Sequence, residues 1–303
     1  MSGFAADMAR QLKGAVLIEE PLKKHTTWRI GGPAEVLAIP ESQAEVLTAL
    51  RVAAEWHKQV FVVGNGSNLL ALDEGVRGLV LKLAGGLSRW SLDGKRLTAE
   101  SGCPLSGISR ATVERGLSGL EFAVGIPASL GGALTMNAGA HGGELGTLVK
   151  EVQVSNLQGE LRQFNGEECG FGYRTSSFQN SSYIILSAIL DLQPGDAASG
   201  KRLIKDNLQK RALAHPMEYP NAGSIFRNPP GTAAAKLIEE AGLKGLQIGG
   251  AMISTKHANF IVNVGGATAK DVQALIERVK NTVLEKFQVE LHPEIRTLGC
   301  SRD

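Results

Sequence analysis

The sequence predicts an α+β protein of two or three domains, and three observations carry that prediction. Short apolar runs of strand length alternate with amphipathic helical stretches, without the regular βαβ spacing of a parallel sheet. The chain has 303 residues, where one domain commonly takes about 100–150. A loop-forming stretch, Gln193-Pro-Gly-Asp-Ala-Ala-Ser-Gly200, interrupts the pattern and is the best domain boundary.

Ser42 followed by Glu45 reads as a capping box opening a helix to about residue 57, with Val46, Leu50, Ala53 and Trp56 on one face. Val60 to Val63 is a short apolar strand. Gly64-Asn65-Gly66-Ser67-Asn68 is the turn at its carboxyl end, where ligands collect in α/β sheets. A second apolar strand spans Leu79 to Leu83. From Leu87 to Glu100 two short strands flank Asp93-Gly94, a hairpin signal, and a helix from Pro104 to Arg115 follows with proline in its first turn. Residues 121–146 are too rich in glycine for a plain helix and too apolar for a solvated linker. Strands are predicted at Val149 to Asn156, Glu160 to Phe164 and Tyr183 to Leu192. Beyond the interruption come helices near 201–213 and 233–241, the latter ended by Gly242, then a strand near 259–264 and a long helix over 269–287. Thr268 and Asp271 form the cap of that last helix, and Val272, Leu275, Ile276, Val279, Val283 and Phe287 its apolar face.

Composition narrows the function. A formal charge of +2 with no run of lysine or arginine argues against nucleic acid or anionic lipid as a partner. No apolar run approaches the roughly 20 residues that span a bilayer, and the N-terminal stretch, broken by Asp7, lacks the layout of a signal peptide. Cys103, Cys169 and Cys300 are far apart and form no CxxC pairing, which predicts three free thiols in a reducing cytoplasm. The six histidines show neither HExxH nor close ligand spacing, so no metal is expected.

The chain has 37 glycines, bunched at 64–66, 85–86, 125–146 and 242–250. The Gly64–Asn68 turn offers backbone and side-chain donors that can wrap a diphosphate. It is no Walker A loop, since no Gly-Lys-Ser/Thr follows, and Leu69 takes the place of a third glycine in GxGxxG. A tight turn with Asx hydrogen bonds accounts for the same residues. In 121–146, Gly131-Gly132 and Asn137-Ala138-Gly139 suit close approach by a flat or anionic ligand, and also suit a packed crossing of loops. Tyr173-Arg174 sits in a polar loop where a guanidinium can clamp a carboxylate, or simply face solvent. The loop Tyr219-Pro-Asn-Ala-Gly-Ser-Ile-Phe-Arg-Asn-Pro229 presents Ser224 with Arg227 and Asn228 close by, although serine after glycine is also an ordinary turn residue. No Gly-x-Ser-x-Gly elbow is present, so a hydrolase nucleophile is not supported. Glu294, in a strand-like stretch with apolar neighbours, suits acid-base chemistry or a surface ion pair.

From about residue 18 to 298 these segments resemble the UDP-N-acetylenolpyruvoylglucosamine reductase family. The resemblance rests on His25-Thr-Thr-x-x-Ile-Gly-Gly-Pro-Ala34, Gly64–Asn68, Gly125-Ile126-Pro127 through Asn137-Ala-Gly139-Ala, Tyr173-Arg174, and Asn221-Ala-Gly-Ser-x-Phe-x-Asn-Pro229. Their order is more specific than any one of them.

The resemblance implies a two-part FAD-binding fold of the vanillyl-alcohol-oxidase type plus a smaller α+β substrate domain. On that basis residues 1–84 and 85–196 form the FAD-binding subdomains and 197–303 the C-terminal domain, with His25 to Ala34 in the flavin-binding half. It implies noncovalent FAD contacted by Gly64, Asn65, Gly66, Ser67, Asn68, Gly125, Ile126, Pro127, Gly131, Gly132, Asn137 and Gly139, and NADPH as electron donor. Arg174, Ser224 and Glu294 match the family's catalytic residues. Hydride from the flavin would add to the enolpyruvyl methylene carbon, Ser224 would protonate the neighbouring carbon, and Arg174 with Glu294 would stabilise the charge between the two steps. Tyr173, Arg174, Arg211, Tyr219, Arg227 and Asn228 are the candidate contacts to a UDP-sugar, with no partner protein expected.

Two features depart from the family pattern. Tyr173-Arg174 runs almost directly into the Tyr183 strand, without the inserted tyrosine-bearing element of a longer subclass, and in His215-Pro-Met-Glu-Tyr219 the group gripping the diphosphate is not fixed. An FAD oxidase sharing only the first two-thirds, and a nucleotide-binding module without catalysis, are the competing readings.

Overall fold

The computed structural model describes residues 2–299 and divides into two compact units. The first comprises the chain up to Ile18, Val36–Asn65 and Gly78–Arg211. The second comprises Glu19–Glu35, Gly66–Arg77 and the chain from Ala212 onward.

Strand Val60–Val63 runs parallel to Val76–Lys82, with Val60 opposite Leu79. It lies at one edge of a four-stranded sheet that continues through Pro33–Ile39 to Ala15–Pro21. Helices Gly3–Gln11 and Gln43–Glu55 bury Phe4, Met8, Val46 and Leu50 against Val36, Leu79 and Leu81. Ser42 caps the second helix as expected, accepting from the Glu45 backbone at 3.3 Å. The reciprocal half of the box is absent, because the Glu45 carboxylate accepts from the Glu41 and Gly14 backbones instead.

The second sheet of this unit is antiparallel, in the order Leu161–Asn165, Val149–Ser155, Ile184–Asp191, Arg96–Glu100, Trp90–Asp93. Its first hairpin pairs Asp93 with Arg96, so the two turn residues are Gly94 and Lys95. Helix Leu105–Glu114 packs on it through Leu105 and Ile108, in a core with Leu97, Val152 and Leu190. Residues 121–146 fold as a 3-10 turn over Glu121–Gly125, a short helix Leu130–Thr135, and a hairpin of Gly139–Ala140 with Gly143–Glu144. The segment is thus neither a plain helix nor a linker, and the glycine pair 131–132 lies inside its one short helix. Gly131 lets that helix press on Ser101: its N–H donates to the Ser101 carbonyl at 2.8 Å, and a Cβ there would stand 2.8 Å from that of Ser101.

Helix Ala197–Ala214 keeps to the first unit as far as Arg211. Ile204 packs with Val113 and Val124, and the buried Asn207 amide donates to the Glu121 carbonyl at 3.2 Å. Cys103 and Cys169 are fully buried free thiols, and burial pushes both up to about 11. Cys300, the third cysteine, lies outside the described residues.

In the second unit a three-stranded antiparallel sheet, Gln247–Ile248, Ala251–Ile253 and Ile261–Asn263, packs on helices Ala234–Glu240 and Ala269–Phe287. Strand Arg296–Leu298 lies parallel to Leu69–Ala71. His25 to Ala34 belongs to this unit. Trp28 is the reason. It is fully buried in this core, its indole N–H donates to the Ile261 carbonyl at 3.0 Å, and Asn263 donates back to the Trp28 carbonyl at 3.0 Å. The carboxylate of Asp73 accepts from the Ala269 and Lys270 backbones at the start of the long helix.

The long helix has the cap and apolar stripe that its sequence predicts. Thr268 accepts from the Asp271 N–H at 3.1 Å and Asp271 accepts from the Thr268 N–H at 3.0 Å, while Val272, Leu275, Ile276, Val279 and Val283 are buried. Among the described residues no helix is long and apolar enough to cross a membrane. Replacing Thr268 by Ala removes half of the box, and the urea midpoint should fall by an amount corresponding to about 1 kcal/mol; an unchanged midpoint would show that Asp73 alone suffices as cap.

Candidate active site

In the first unit the turn after strand Val60–Val63 begins with Gly64-Asn65, and Asn65 donates to the Pro127 carbonyl at 2.7 Å. Facing it is Ser129, which precedes helix Leu130–Thr135 without capping it. A Cβ on Gly64 would lie 2.4 Å from the Ser129 hydroxyl, and one on Gly132 would lie 3.5 Å from it. That hydroxyl is buried and has no hydrogen-bond partner, as is the hydroxyl of Ser101. An unpaired buried hydroxyl costs about 1–3 kcal/mol. The Ser129 hydroxyl is thus a buried donor lying beside the bare backbones of Gly64 and Gly132.

The remaining glycines of the expected set answer to the chain's own packing. A Cβ on Gly125 would meet the Arg211 side chain at 2.8 Å, on Gly139 the Gly143 carbonyl at 2.7 Å, and on Gly66, in the second unit, the His25 carbonyl at 2.2 Å. Gly132, by contrast, is exposed and its missing Cβ is required by no protein atom. Ile126 is half-buried and Pro127 exposed, its carbonyl accepting from Asn65. Neither Ser101 nor Ser129 was singled out from the sequence. The serine directly before Leu130-Gly-Gly is the available signal for Ser129.

The guanidinium of Arg211 is largely desolvated, which lowers its pKa, and no carboxylate among the described residues offsets its charge. Tyr173 and Arg174 form the corner of a two-residue turn in which Gly172 and Thr175 exchange both backbone hydrogen bonds at 3.1 Å. Arg174 takes a left-handed φ of +54°, Tyr173 is 60% exposed, and Arg174 is half-buried. Asn137 is buried at 2% exposure; its Nδ2 donates to the Gly172 carbonyl at 3.0 Å and its Oδ1 accepts from Gly146 at 2.8 Å. Its amide therefore faces the Arg174 turn.

In the second unit the Ser224 loop is held at every step by side-chain amides. Asn221 accepts from Gly223 and donates to the Tyr219 and Pro216 carbonyls, and Thr27 donates to the Asn221 carbonyl at 2.7 Å. Asn259 pairs with both polar groups of Phe226, accepting at 2.9 Å and donating at 2.8 Å. The chain then runs antiparallel to the C-terminal stretch: the Glu294 N–H donates to the Ile225 carbonyl at 2.7 Å and the Arg227 N–H to the His292 carbonyl at 3.0 Å. Half-buried Ser224 and half-buried Glu294 are thereby placed on neighbouring backbones. Asn68 donates to the Glu294 carbonyl at 3.2 Å and accepts from the Arg296 N–H at 3.0 Å. Ser67 is half-buried just ahead of it.

Arg227 has a buried Nε without a partner, and Arg296 is lowered by burial and by the Arg227 charge. Two guanidiniums that repel one another mark a place for an anion. Asn228, exposed, accepts from the Ala234 N–H at 3.1 Å and so organises the start of helix Ala234–Glu240. Tyr219 is 40% exposed. Arg174 lies in the first unit, and Ser224 and Glu294 in the second.

The family model for the C-terminal domain of UDP-N-acetylenolpyruvoylglucosamine reductase matches residues 215–298, and that for an FAD binding domain matches residues 34–165. UDP-N-acetylenolpyruvoylglucosamine reductase of Heliobacterium modesticaldum is 49% identical over 97% of this chain and 94% of its own length. That of Alkaliphilus oremlandii is 45% identical over 94% and 93%. A solved structure, the UDP-N-acetylenolpyruvylglucosamine reductase of Thermus caldophilus, superposes with a TM-score of 0.81 at 38% identity, covering 94% of this chain and 99% of that one. The fold is the two-part FAD-binding type with an added C-terminal domain, as the sequence predicts.

The connector into the Ser224 loop is packed by rings: His215 lies 4.9 Å and His257 4.8 Å from Phe260, and 5.7 Å from one another. Burial lowers the His257 pKa, with Lys244 acting in the same sense and Glu239 against it. The folded state thus resists a proton that the unfolded imidazole accepts near its ordinary pKa of about 6.5, so stability is complete above that value and declines as pH falls through it. The urea midpoint should drop between about pH 7.5 and 5.5, and His257→Gln should flatten the slope; identical slopes in both proteins would exclude His257 as the source.

Proposed function

The chain belongs to the UDP-N-acetylenolpyruvoylglucosamine reductase family, and we propose that it reduces the enolpyruvyl group of UDP-N-acetylglucosamine enolpyruvate to UDP-N-acetylmuramate, drawing electrons from NADPH. It is a flavoprotein oxidoreductase of peptidoglycan precursor synthesis. The observation that supports the residue-level reading is the hydrogen bond from the Glu294 backbone N–H to the Ile225 carbonyl, which runs the segments carrying Ser224 and Glu294 alongside one another.

The residues fit the cofactor. The unpaired Ser129 hydroxyl between the bare backbones of Gly64 and Gly132 suits a diphosphate, with Asn65 and Pro127 forming the rim beside it. When bound there, FAD supplies the hydride. Ser224 delivers a proton to the enolpyruvyl carbon next to the carboxylate, and the resulting alkoxide recovers its proton from solvent. Arg174, and Glu294 in its acid form, bond the carboxylate while negative charge is delocalised into it, the arrangement that makes so weak an acid as serine sufficient.

Arg211 and Arg227, for neither of which a counter-charge is found among the described residues, are each candidates for the UDP diphosphate. Tyr173 and Tyr219 offer exposed rings for the sugar or base. The chain has no second dinucleotide motif, which supports NADPH and UDP-sugar taking one site in turn. A cytoplasmic location suits both substrates.

Two substitutions test this reading. Gly132→Ala should leave the chain as stable as before, since only the Ser129 hydroxyl lies near the new methyl, yet weaken FAD at least about tenfold, equivalent to 1.4 kcal/mol; full flavin affinity would remove Gly132 from the cradle. Ser224→Ala should keep flavin bleaching by NADPH while slowing reoxidation by the enolpyruvyl substrate roughly 10²–10⁴-fold. Wild-type reoxidation in that variant would sink the proton-donor role.

A further inference from the structure

We propose that Asn137 and Gln179 are positioning residues that hold Arg174 in its working conformation and tie it to the helix beneath the Ser129 cradle. The inference rests on the role given to Arg174 above.

Arg174 occupies the second corner of its turn at φ +54°, where glycine or asparagine is the usual residue and another side chain costs of order 1–3 kcal/mol. An arginine persists in such a place only when its surroundings over-determine it. Two buried or half-buried amides do so. Asn137 donates to the Gly172 carbonyl at 3.0 Å, before the corner, and Gln179 donates to the Arg174 carbonyl at 2.8 Å, after it. Both carbonyls are thus fixed independently of the turn's own hydrogen bonds.

The amides are themselves anchored. The Asn137 oxygen accepts from Gly146, which fixes which end of the amide faces the turn. Gly146 cannot carry a side chain, because a Cβ would stand 2.7 Å from that of Phe171 and 3.0 Å from the Asn137 oxygen. Gln179 also donates to the Thr135 carbonyl at 3.0 Å, and Ser176 donates to the same carbonyl at 2.8 Å. Thr135 is the last residue of helix Leu130–Thr135, whose first turn follows Ser129. One short helix therefore carries the cradle at its start and the clamp on Arg174 at its end. Asn137, expected from the sequence to touch the cofactor, acts in this account through Arg174.

The test compares Gln179→Met, which removes the donor, and Asn137→Asp, which keeps the acceptor toward Gly146 and removes the donor toward Gly172. Each is made alone and in an Arg174→Ala background, in the FAD-loaded protein. Each single variant should retain flavin and its reduction by NADPH, yet slow reoxidation by the enolpyruvyl UDP-sugar roughly 10- to 100-fold, the scale of an ångström of misplacement. Combined with Arg174→Ala, neither should add a further loss, because the group they position is gone. Losses that multiply in the double variants, wild-type reoxidation in the singles, or loss of flavin or folding in both singles would overturn the proposal. If only one single variant fails to fold, the other decides. Arg174→Ala reoxidised at the wild-type rate would instead overturn the role of Arg174 itself.

Discussion

A loop that leaves its sheet still has to satisfy every buried backbone N–H and C=O, and in this chain asparagine side chains meet that demand. Asn259 stands in for a strand neighbour along Phe226, Asn221 closes the turn before Ser224, Asn68 bonds the Glu294 carbonyl, and Asn137 bonds the Gly172 carbonyl. Each makes a directional contact that a hydrophobic side chain could not. Loops held this way keep irregular backbone without the mobility that irregular backbone otherwise brings. The candidate catalytic side chains all project from such loops.

Glycine and charge do complementary work around them. Most of the glycines admit another piece of the chain, so their loss would displace protein rather than ligand. Gly132 alone of the candidate set opens on space, next to a hydroxyl that bonds nothing. The cationic groups show the same asymmetry: Lys24, Arg51 and Lys244 have carboxylate partners, whereas Arg211 has none among the described residues and Arg227 lies near Arg296. Unbalanced donors of this kind cost folding energy unless a ligand completes them.

Much of this was legible in the sequence. The long C-terminal helix, its cap and its apolar stripe follow from one rule of period and one of capping, both local. The individual strands of the five-stranded sheet followed from short apolar runs separated by turn residues, while their pairing into one sheet did not. What the sequence did not reveal was non-local. That Gly131-Gly132 sits in a short helix depends on its packing against Ser101, a residue thirty positions away. His25 to Ala34 lies early in the chain, yet Trp28 buries itself with Ile261, a partner more than two hundred positions away whose identity no local pattern reveals. Asn137 and Asn68 were recognised as polar residues near glycine; whether such an amide faces a ligand or a carbonyl depends on which distant backbone comes to meet it.

Cys103 and Cys169 acquire a meaning from the company of a flavin. Reduced flavin that meets oxygen yields hydrogen peroxide, and peroxide attacks thiolate rather than thiol. With both groups pushed up to about 11 by burial, the thiolate fraction near neutral pH is on the order of one in ten thousand. Packing that serves the core thus also makes these two sulfurs poor targets for peroxide.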